Sequence, residues 1–188
     1  MIQAQSASAV APIRYGLRAM TAADPDSVRR WLAQPHVARW WPHPECALRS
    51  VTRHPSEPTI ACLILTMNGR GVGYLQVYDP HYAPGRAGDG QTPRHPYQDR
   101  PRGPRGIDLF IGEASFIGQG HGPRFIRRGL DHLFDAGAPC VVADPNPSNV
   151  RSVAAFRSAG FRSMGERDTA WGHVLLMRCN SPRQVISP

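Results

Sequence analysis

A strand-like run, GIDLFIG over 106–112, leads to a turn carrying Gly118, Gly120 and Gly122, and this turn opens an amphipathic helix. Glycines so close together allow backbone dihedrals denied to other residues and let a ligand approach the chain. A helix N-terminus adds free N–H groups and a positive dipole end, which favour an anion such as phosphate. The helix, over 123–134, places Phe125, Ile126, Leu130, Leu133 and Phe134 on its apolar side. Arg124, Arg127 and Arg128 follow the turn. No Gly-Lys-Ser/Thr follows, so this is not a Walker A loop. Nor is it a dinucleotide fingerprint: several residues separate strand from turn, and no βαβ unit precedes it. At this point an ordinary glycine-rich turn and a phosphate cradle both remain open.

The rest of the chain reads as alternating strands and helices. Residues 13–18 form a strand. Thr21 offers a helix cap with Asp24 three residues on, an imperfect capping box. Pro25 suits the first turn of a helix, whose Val28, Trp31 and Leu32 recur at helical spacing until Pro35 stops it. Residues 36–41 (HVARWW) are a short helical segment or a loop. Residues 59–67 are β-rich, and Asn68-Gly69 signals a tight hairpin. The returning strand, 71–78, puts Val72, Tyr74, Gln76 and Tyr78 on one face. Residues 79–105 show no periodicity, as expected of a functional or disordered loop. A buried strand over 139–143 precedes the loop DPNPSN, which ends in the helix cap Asn149. A helix over 151–158 ends at Gly160, and strands over 161–167 and 173–178 close the chain. The order β-α-(α)-β-β-β-α-β-α-β-β predicts one α/β domain, a mixed central sheet flanked by helices, over 13–180. Residues 1–12 are expected as a flexible tail and 181–188 as a C-terminal tail.

Composition narrows the partners. The net charge is +8 and all 22 basic residues are Arg, with 19 Pro and 18 Gly beside them. A GC-rich coding bias accounts for that composition, although Arg also suits phosphate. The Arg residues are scattered rather than gathered in one run, so no nucleic-acid partner is expected. The apolar run over 60–65 is too short for a bilayer, and no membrane association is expected. Residues 1–12 lack the basic and apolar regions of a signal peptide, so the cytoplasm is the expected location. Cys46, Cys62, Cys140 and Cys179 lack the short spacings of a zinc or redox motif. Cys62 and Cys140, in apolar runs, are expected in the core, and no metal is expected.

The helix capped by Asn149 reads Asn149-x-x-Ser152-x-x-x-Phe156-x-x-x-Gly160-Phe161. Together with the upstream glycine turn and the intervening strand, it resembles the GNAT superfamily of acyl-CoA-dependent N-acyltransferases. Arg105-Gly-Ile-Asp108, Phe110-Ile-Gly-Glu113 and Asp144-Pro-Asn-Pro-Ser-Asn149 narrow the resemblance to the aminoglycoside 6′-N-acetyltransferase branch, as do Trp31-Leu32, Trp40-Trp41 and Gly73-Tyr74-x-Gln76. Siderophore-biosynthesis N-acyltransferases carry the same motifs.

The resemblance implies acetyl-CoA as co-substrate and a small-molecule primary amine as acceptor, most simply the 6′-amine of an aminoglycoside. A siderophore-type lysine or hydroxylamine acceptor, or a non-catalytic acyl-CoA-binding module, remains open, as does a monomer or homodimer. Gly118, Gln119, Gly120, His121, Gly122, Pro123 and Arg124 would cradle the CoA pyrophosphate. Phe110 and Ile111 would pair with the pantetheine, and Asn149 would hydrogen-bond the cofactor arm. Phe156 would line the cofactor site where many relatives carry a Tyr that protonates the leaving thiolate; a Phe cannot donate. Asp108 would take the proton of the attacking ammonium, which must lose it before attack. Asp89 and Asp144 would hold substrate ammonium groups, with Trp41 and Tyr74 as pocket walls. Trp171 sits where some relatives have an acidic residue. Residues 91–105 carry Arg94, Arg100, Arg102 and Arg105 against Asp99, which suits a polycation poorly.

Overall fold

The computed structural model describes residues 11–41, 60–80, 103, 105–169 and 171–182. The elements run β1 (Tyr15–Ala19), α1 (Pro25–Leu32), α2 (Pro35–Ala38), β2 (Ile60–Met67), β3 (Arg70–Tyr78), β4 (Arg105–Ile111), α3 (His121–Asp135), β5 (Cys140–Ala143), α4 (Val150–Ser158), β6 (Arg162–Thr169) and β7 (Gly172–Asn180). This is the order expected from the sequence. The strands form one mixed sheet, β1-β2-β3-β4-β5-β7-β6, in which β4 and β5 pair in parallel and the other neighbours antiparallel. Asp89, Cys46, residues 1–10 and 183–188, and most of 79–105 lie outside the described residues.

Asn68 and Gly69 both take positive φ, 50° and 84°, the geometry of a two-residue hairpin turn that follows strand twist. The hairpin brings β2 and β3 together, and their alternation divides the core. On one face Leu63, Leu65, Leu75, Val77 and Ile107 pack under α3 and α4 against Phe125, Ile126, Leu130, Val153 and Phe156. On the other, Cys62, Ile64, Tyr74 and Phe110 pack against Val28, Trp31, Leu32 and Val37. Burying each large apolar side chain stabilises the fold by about 1.5–3 kcal/mol.

Four local expectations are corrected. Thr21 is not the cap of α1. Asp24 stands at that position, and its carboxylate instead accepts from the Thr21 N–H and hydroxyl and from Arg18. Pro35 does not merely stop a helix; it opens α2, where its missing N–H costs nothing. Val72 leaves the face of Tyr74, Gln76 and Tyr78. Leu65 pairs with Gly73 and Thr66 with Gly71, so Val72 is the extra residue of a bulge and joins the other core face. Helix α3 begins at His121, so Pro123 is its third residue, still within the first turn that tolerates it.

Candidate active site

The pairing of β4 with β5 covers Arg105 with Val141 and Gly106 with Val142, and ends there. β4 continues to Ile111 with its far edge turned to the gap. The Gly112 N–H donates to the Val72 carbonyl at 2.8 Å, which sets the phase of the ladder. With Tyr74 opposite Phe110 and Gln76 opposite Asp108, the backbone groups of Phe110 and Asp108 point at β3. Those of Leu109 and Ile111 point into the gap. The Ile111 carbonyl is met there by His36 Nε2 at 3.0 Å. The open edge therefore belongs to Leu109 and Ile111. The expected backbone role of Phe110 is corrected: its amide and carbonyl are committed to Tyr74, and it offers the site a ring.

Below this edge lies a cleft of about 670 Å³, lined in part by Trp41, Ile111, Gly118, Gly120, Asn149 and Phe156. Gly118 and Gly120 have φ of 80° and 79°, and Gly120 is the N-cap of α3. Only glycine holds that backbone without strain. Gly118, Gly120, His121, Gly122 and Pro123 line the cleft, and the polar side chains of the turn have partners within the protein. His121 Nδ1 and the Tyr15 hydroxyl are hydrogen-bonded at 2.7 Å inside the protein, and burial followed by nearby Arg124 lowers the imidazole pKa. Arg124 lays its guanidinium over the Tyr15 ring, 5.4 Å from the centroid. Gln119 donates to the Ser115 carbonyl and closes the turn on itself. Pro123 has no N–H to offer.

Helix α4 forms the opposite wall. Asn149 Oδ1 accepts from the Ser152 N–H at 3.2 Å and caps it. A Cβ on Gly122 would stand 3.4 Å from Ala155, which is how closely α3 and α4 meet. Phe156 is buried, with Phe161 edge-on at 5.0 Å, and has no proton to give.

Two carboxylates stand where the strands part. Asp108, on β4, accepts from Gln76 Nε2 at 2.7 Å. Its pKa is pushed up to about 7, first by burial and then by the negative field of Asp144, against the opposing hydrogen bond of Gln76. Asp144, just past β5, accepts from the Tyr78 hydroxyl at 3.4 Å and from Trp171 Nε1 at 3.1 Å. Trp171 itself is half exposed. Trp41 stands edge-on to Phe110 at 5.1 Å and lines the cleft. Tyr74 is not a pocket wall. It is fully buried, its hydroxyl held between Cys62 and Gln76, and burial pushes its pKa up so that the phenol stays neutral.

Gln76, Tyr78, Leu109 and His36 were not assigned roles from the sequence. The alternation in β3 had placed Gln76 and Tyr78 on the Tyr74 face, which was the available signal. Among the described residues, no group of three or more His, Cys, Asp or Glu is placed to hold a metal, and no helix is long and apolar enough to cross a membrane.

The mixed sheet parts between two parallel strands, with an open strand edge in the split and a left-handed glycine turn at a helix N-terminus beside it, an arrangement that suits an extended ligand with an anionic group. Residues 20–169 match the acetyltransferase (GNAT) domain, and the chain belongs to that family of acyltransferase enzymes. It is 32% identical over 169 residues to aminoglycoside N(6′)-acetyltransferase type 1 of Klebsiella pneumoniae, over 86% of this chain and 80% of that protein. The crystal structure of aminoglycoside acetyltransferase AAC(6′)-Ib with coenzyme A and kanamycin matches with a TM-score of 0.75 and 27% identity, over 89% of this chain and 95% of that one. The lysine N-acyltransferase MbtK of Mycolicibacterium paratuberculosis is 26% identical over 174 residues, covering 89% of this chain and 74% of that protein.

Proposed function

We propose that this protein transfers an acetyl group from acetyl-CoA to a primary amine, the 6′-amine of an aminoglycoside, as a cytoplasmic enzyme whose domain spans 13–180. The observation that carries the reading is the pair Asp108 and Asp144 at the parting of β4 and β5, beside the open edge of Leu109 and Ile111. The cleft fits the donor on its own terms: strand-edge groups of Leu109 and the Ile111 N–H for a pantetheine-like arm, the Ile111 carbonyl being held by His36, and a glycine turn at a helix start for its pyrophosphate. Acetyl-CoA supplies a thioester, an acyl group already activated toward amines.

The residues divide the remaining work. Asp144, held by Tyr78 and Trp171, fixes an ammonium group of the acceptor. Asp108 accepts the proton that the reacting ammonium must lose, and a pKa near 7 suits that exchange at neutral pH. The freed nitrogen attacks the thioester carbon, the C–N bond forms and the C–S bond breaks. The N–H of Leu109, facing the gap, stabilises the negative charge developing on the carbonyl oxygen. Asp108 passes its proton on to water, and the second amine proton leaves by the same route once the carboxylate is restored. Phe156 donates nothing, and the departing thiolate takes its proton from water; an ordinary thiol pKa near 8.5 makes it a competent leaving group unaided. Asn149 Oδ1 is committed to its helix cap, so a contact from Asn149 to the donor falls to its side-chain N–H2.

A second reading, a siderophore-type N-acyltransferase, is favoured by two observations: the similarity to a lysine N-acyltransferase, and the four arginines against one aspartate in 91–105, which repel a polycation. Thiol release from acetyl-CoA, followed with kanamycin and with a lysine side-chain amine, tests both. Turnover with kanamycin at least tenfold above the lysine-type amine supports the first reading, and the reverse order supports the second. Acetyl-CoA binding without turnover of either amine contradicts both.

A further inference from the structure

Four polar side chains form one continuous chain across three strands on the α1–α2 face of the sheet. Cys62 Sγ lies 2.9 Å from the Tyr74 hydroxyl, Tyr74 donates to Gln76 Oε1 at 3.3 Å, and Gln76 Nε2 donates to Asp108 Oδ2 at 2.7 Å. The register sets this up: Cys62 is opposite Gln76 across β2–β3, and Gln76 is opposite Asp108 across β3–β4. Its direction is determined. The Tyr74 hydroxyl has one proton, which goes to Gln76, so the Cys62 S–H donates to the Tyr74 oxygen. Gln76 then has its carbonyl end fixed toward Tyr74 and its N–H2 end toward Asp108. Flipped, its oxygen would face the carboxylate and its N–H2 would face the phenol, which is repulsive at one end.

We propose that Tyr74, although closed off from the cleft, acts through Gln76 as a positioning residue for Asp108, locking the amide orientation that holds one carboxylate oxygen and leaves the other for the acceptor's proton. The inference rests on the reading of Asp108 as the proton acceptor. Hydrogen-bond chains that run donor to acceptor in one sense reinforce one another, and this one ends on an acceptor that carries charge. Tyr74 is the only member fully enclosed, in a pocket made by Val37, Ile64 and Phe110, with Trp41 edge-on at 6.2 Å. That packing prevents the phenol from turning away. The groups facing Asp108 are Gln76 and Tyr74 from β3 and Asp144 from the end of β5. Gln76 stabilises the ionised carboxylate, whereas burial and Asp144 oppose it. Loosening Gln76 therefore moves the Asp108 titration upward.

The test uses the full chain with Tyr74→Phe, Gln76→Leu and Asp108→Asn, each checked for fold by circular dichroism. The Asp108 carboxyl is followed by 13C NMR of aspartate-labelled protein across pH, assigned by its loss in Asp108→Asn. Gln76→Leu should move its midpoint up by about one unit, and Tyr74→Phe in the same direction by less. The acid limb of kcat/KM for the amine should move with it. At pH well below the midpoint the rate of Gln76→Leu should therefore drop roughly tenfold, and acetyl-CoA binding should hold. A titration and rate profile of Tyr74→Phe that overlay the wild type would overturn the relay, even if Gln76→Leu shifts both, because Gln76 bonds Asp108 directly. If the NMR midpoints move but Asp108→Asn keeps wild-type turnover, the relay exists and the reading of Asp108 as the proton acceptor fails instead.

Discussion

Tyr78 occupies the space that a side chain on Gly106 would need: a Cβ there would stand 2.2 Å from the phenol ring. The two residues are paired across β3 and β4, and the ring lies over the glycine with its hydroxyl toward Asp144. The glycine thus sets the pose of a group that holds Asp144, the residue proposed to bind the acceptor. Gly106→Ala should push the ring aside and break the contact with Asp144. The expected outcome is a several-fold rise in KM for the amine and a stability loss of about 1–3 kcal/mol from overpacking. Acetyl-CoA affinity, measured by calorimetry, should stay near wild type. An unchanged KM would show that Tyr78 has no part in placing Asp144.

The Arg18–Asp24 pair predicts a pH dependence of stability. Arg18 contacts both carboxylate oxygens of Asp24, at 2.7 and 2.6 Å, and Thr21 adds its N–H and hydroxyl. These partners hold the Asp24 pKa well below the usual carboxylate range. The folded pKa is depressed, so the contribution is complete above an unfolded value of about 3.9 and disappears as pH falls. Asp24→Asn should cost about 1.5–3 kcal/mol at pH 7, the range of a charged hydrogen bond. Urea melts at pH 7 and pH 3 should show the gap between variant and wild type narrowing at the lower pH. A gap of equal size at both would contradict the assignment.

Gly120 carries positive φ with open space around its absent side chain. Alanine there meets no clash and suffers only left-handed backbone strain, about 1–2 kcal/mol. Gly120→Ala should relieve that strain by distorting the turn, weakening acetyl-CoA binding while KM for the amine holds. For the wild type, acetyl-CoA at about 100 times its dissociation constant should add roughly 2.7 kcal/mol of stability. A thermal shift in the variant equal to that of the wild type would remove the turn from the donor site.

What the sequence made legible was local chemistry. Asn68-Gly69 specified its hairpin, Asn149 its helix cap, and the glycines at 118 and 120 a turn that other residues resist. Each depends on a few neighbouring residues. The parts that stayed hidden depend on pairing between distant strands. The bulge at Val72 reverses one side chain of β3; Gly71 and Gly73 on either side permit it, but only the pairing with β2 places it. Which edge of β4 is open follows from one bond between Gly112 and Val72, so sequence could not distinguish the backbone of Phe110 from that of Leu109. The resemblance implies a pocket wall at Tyr74, but the helices α1 and α2 cover its end of the strand. Gln76 meets Asp108 only once β3 and β4 are in register.

Asp144 and Trp171 predict a separation of binding from turnover. Asp144 is held in place before any substrate arrives, by Tyr78 and by the Trp171 indole at 3.1 Å. A cation contact of that kind is made before and during the reaction alike, so removing it raises KM more than it lowers kcat. Asp144→Asn should raise the amine KM strongly and Trp171→Phe more weakly, with kcat altered less in both. Steady-state kinetics in which kcat falls and KM does not would move Asp144 from substrate binding to the chemistry.

The central claim is that Asp108 accepts the proton of the attacking amine, and its most direct measurement is the turnover of acetyl-CoA with kanamycin across pH, in the wild type and in Asp108→Asn. The carboxyl of Asp108 is raised to about 7, so the wild-type rate should climb as pH rises through that range and the carboxylate forms. The variant keeps the shape and loses the basicity. Its kcat at neutral pH should fall by about 10²–10⁴-fold, the usual contribution of a general base. Its acetyl-CoA affinity should be unaltered, because the proposed donor contacts are backbone groups of the strand and turn, and the deficit should shrink at high pH, where the amine is already free. Retention of more than about a third of wild-type turnover at neutral pH, well outside that range, would contradict the account.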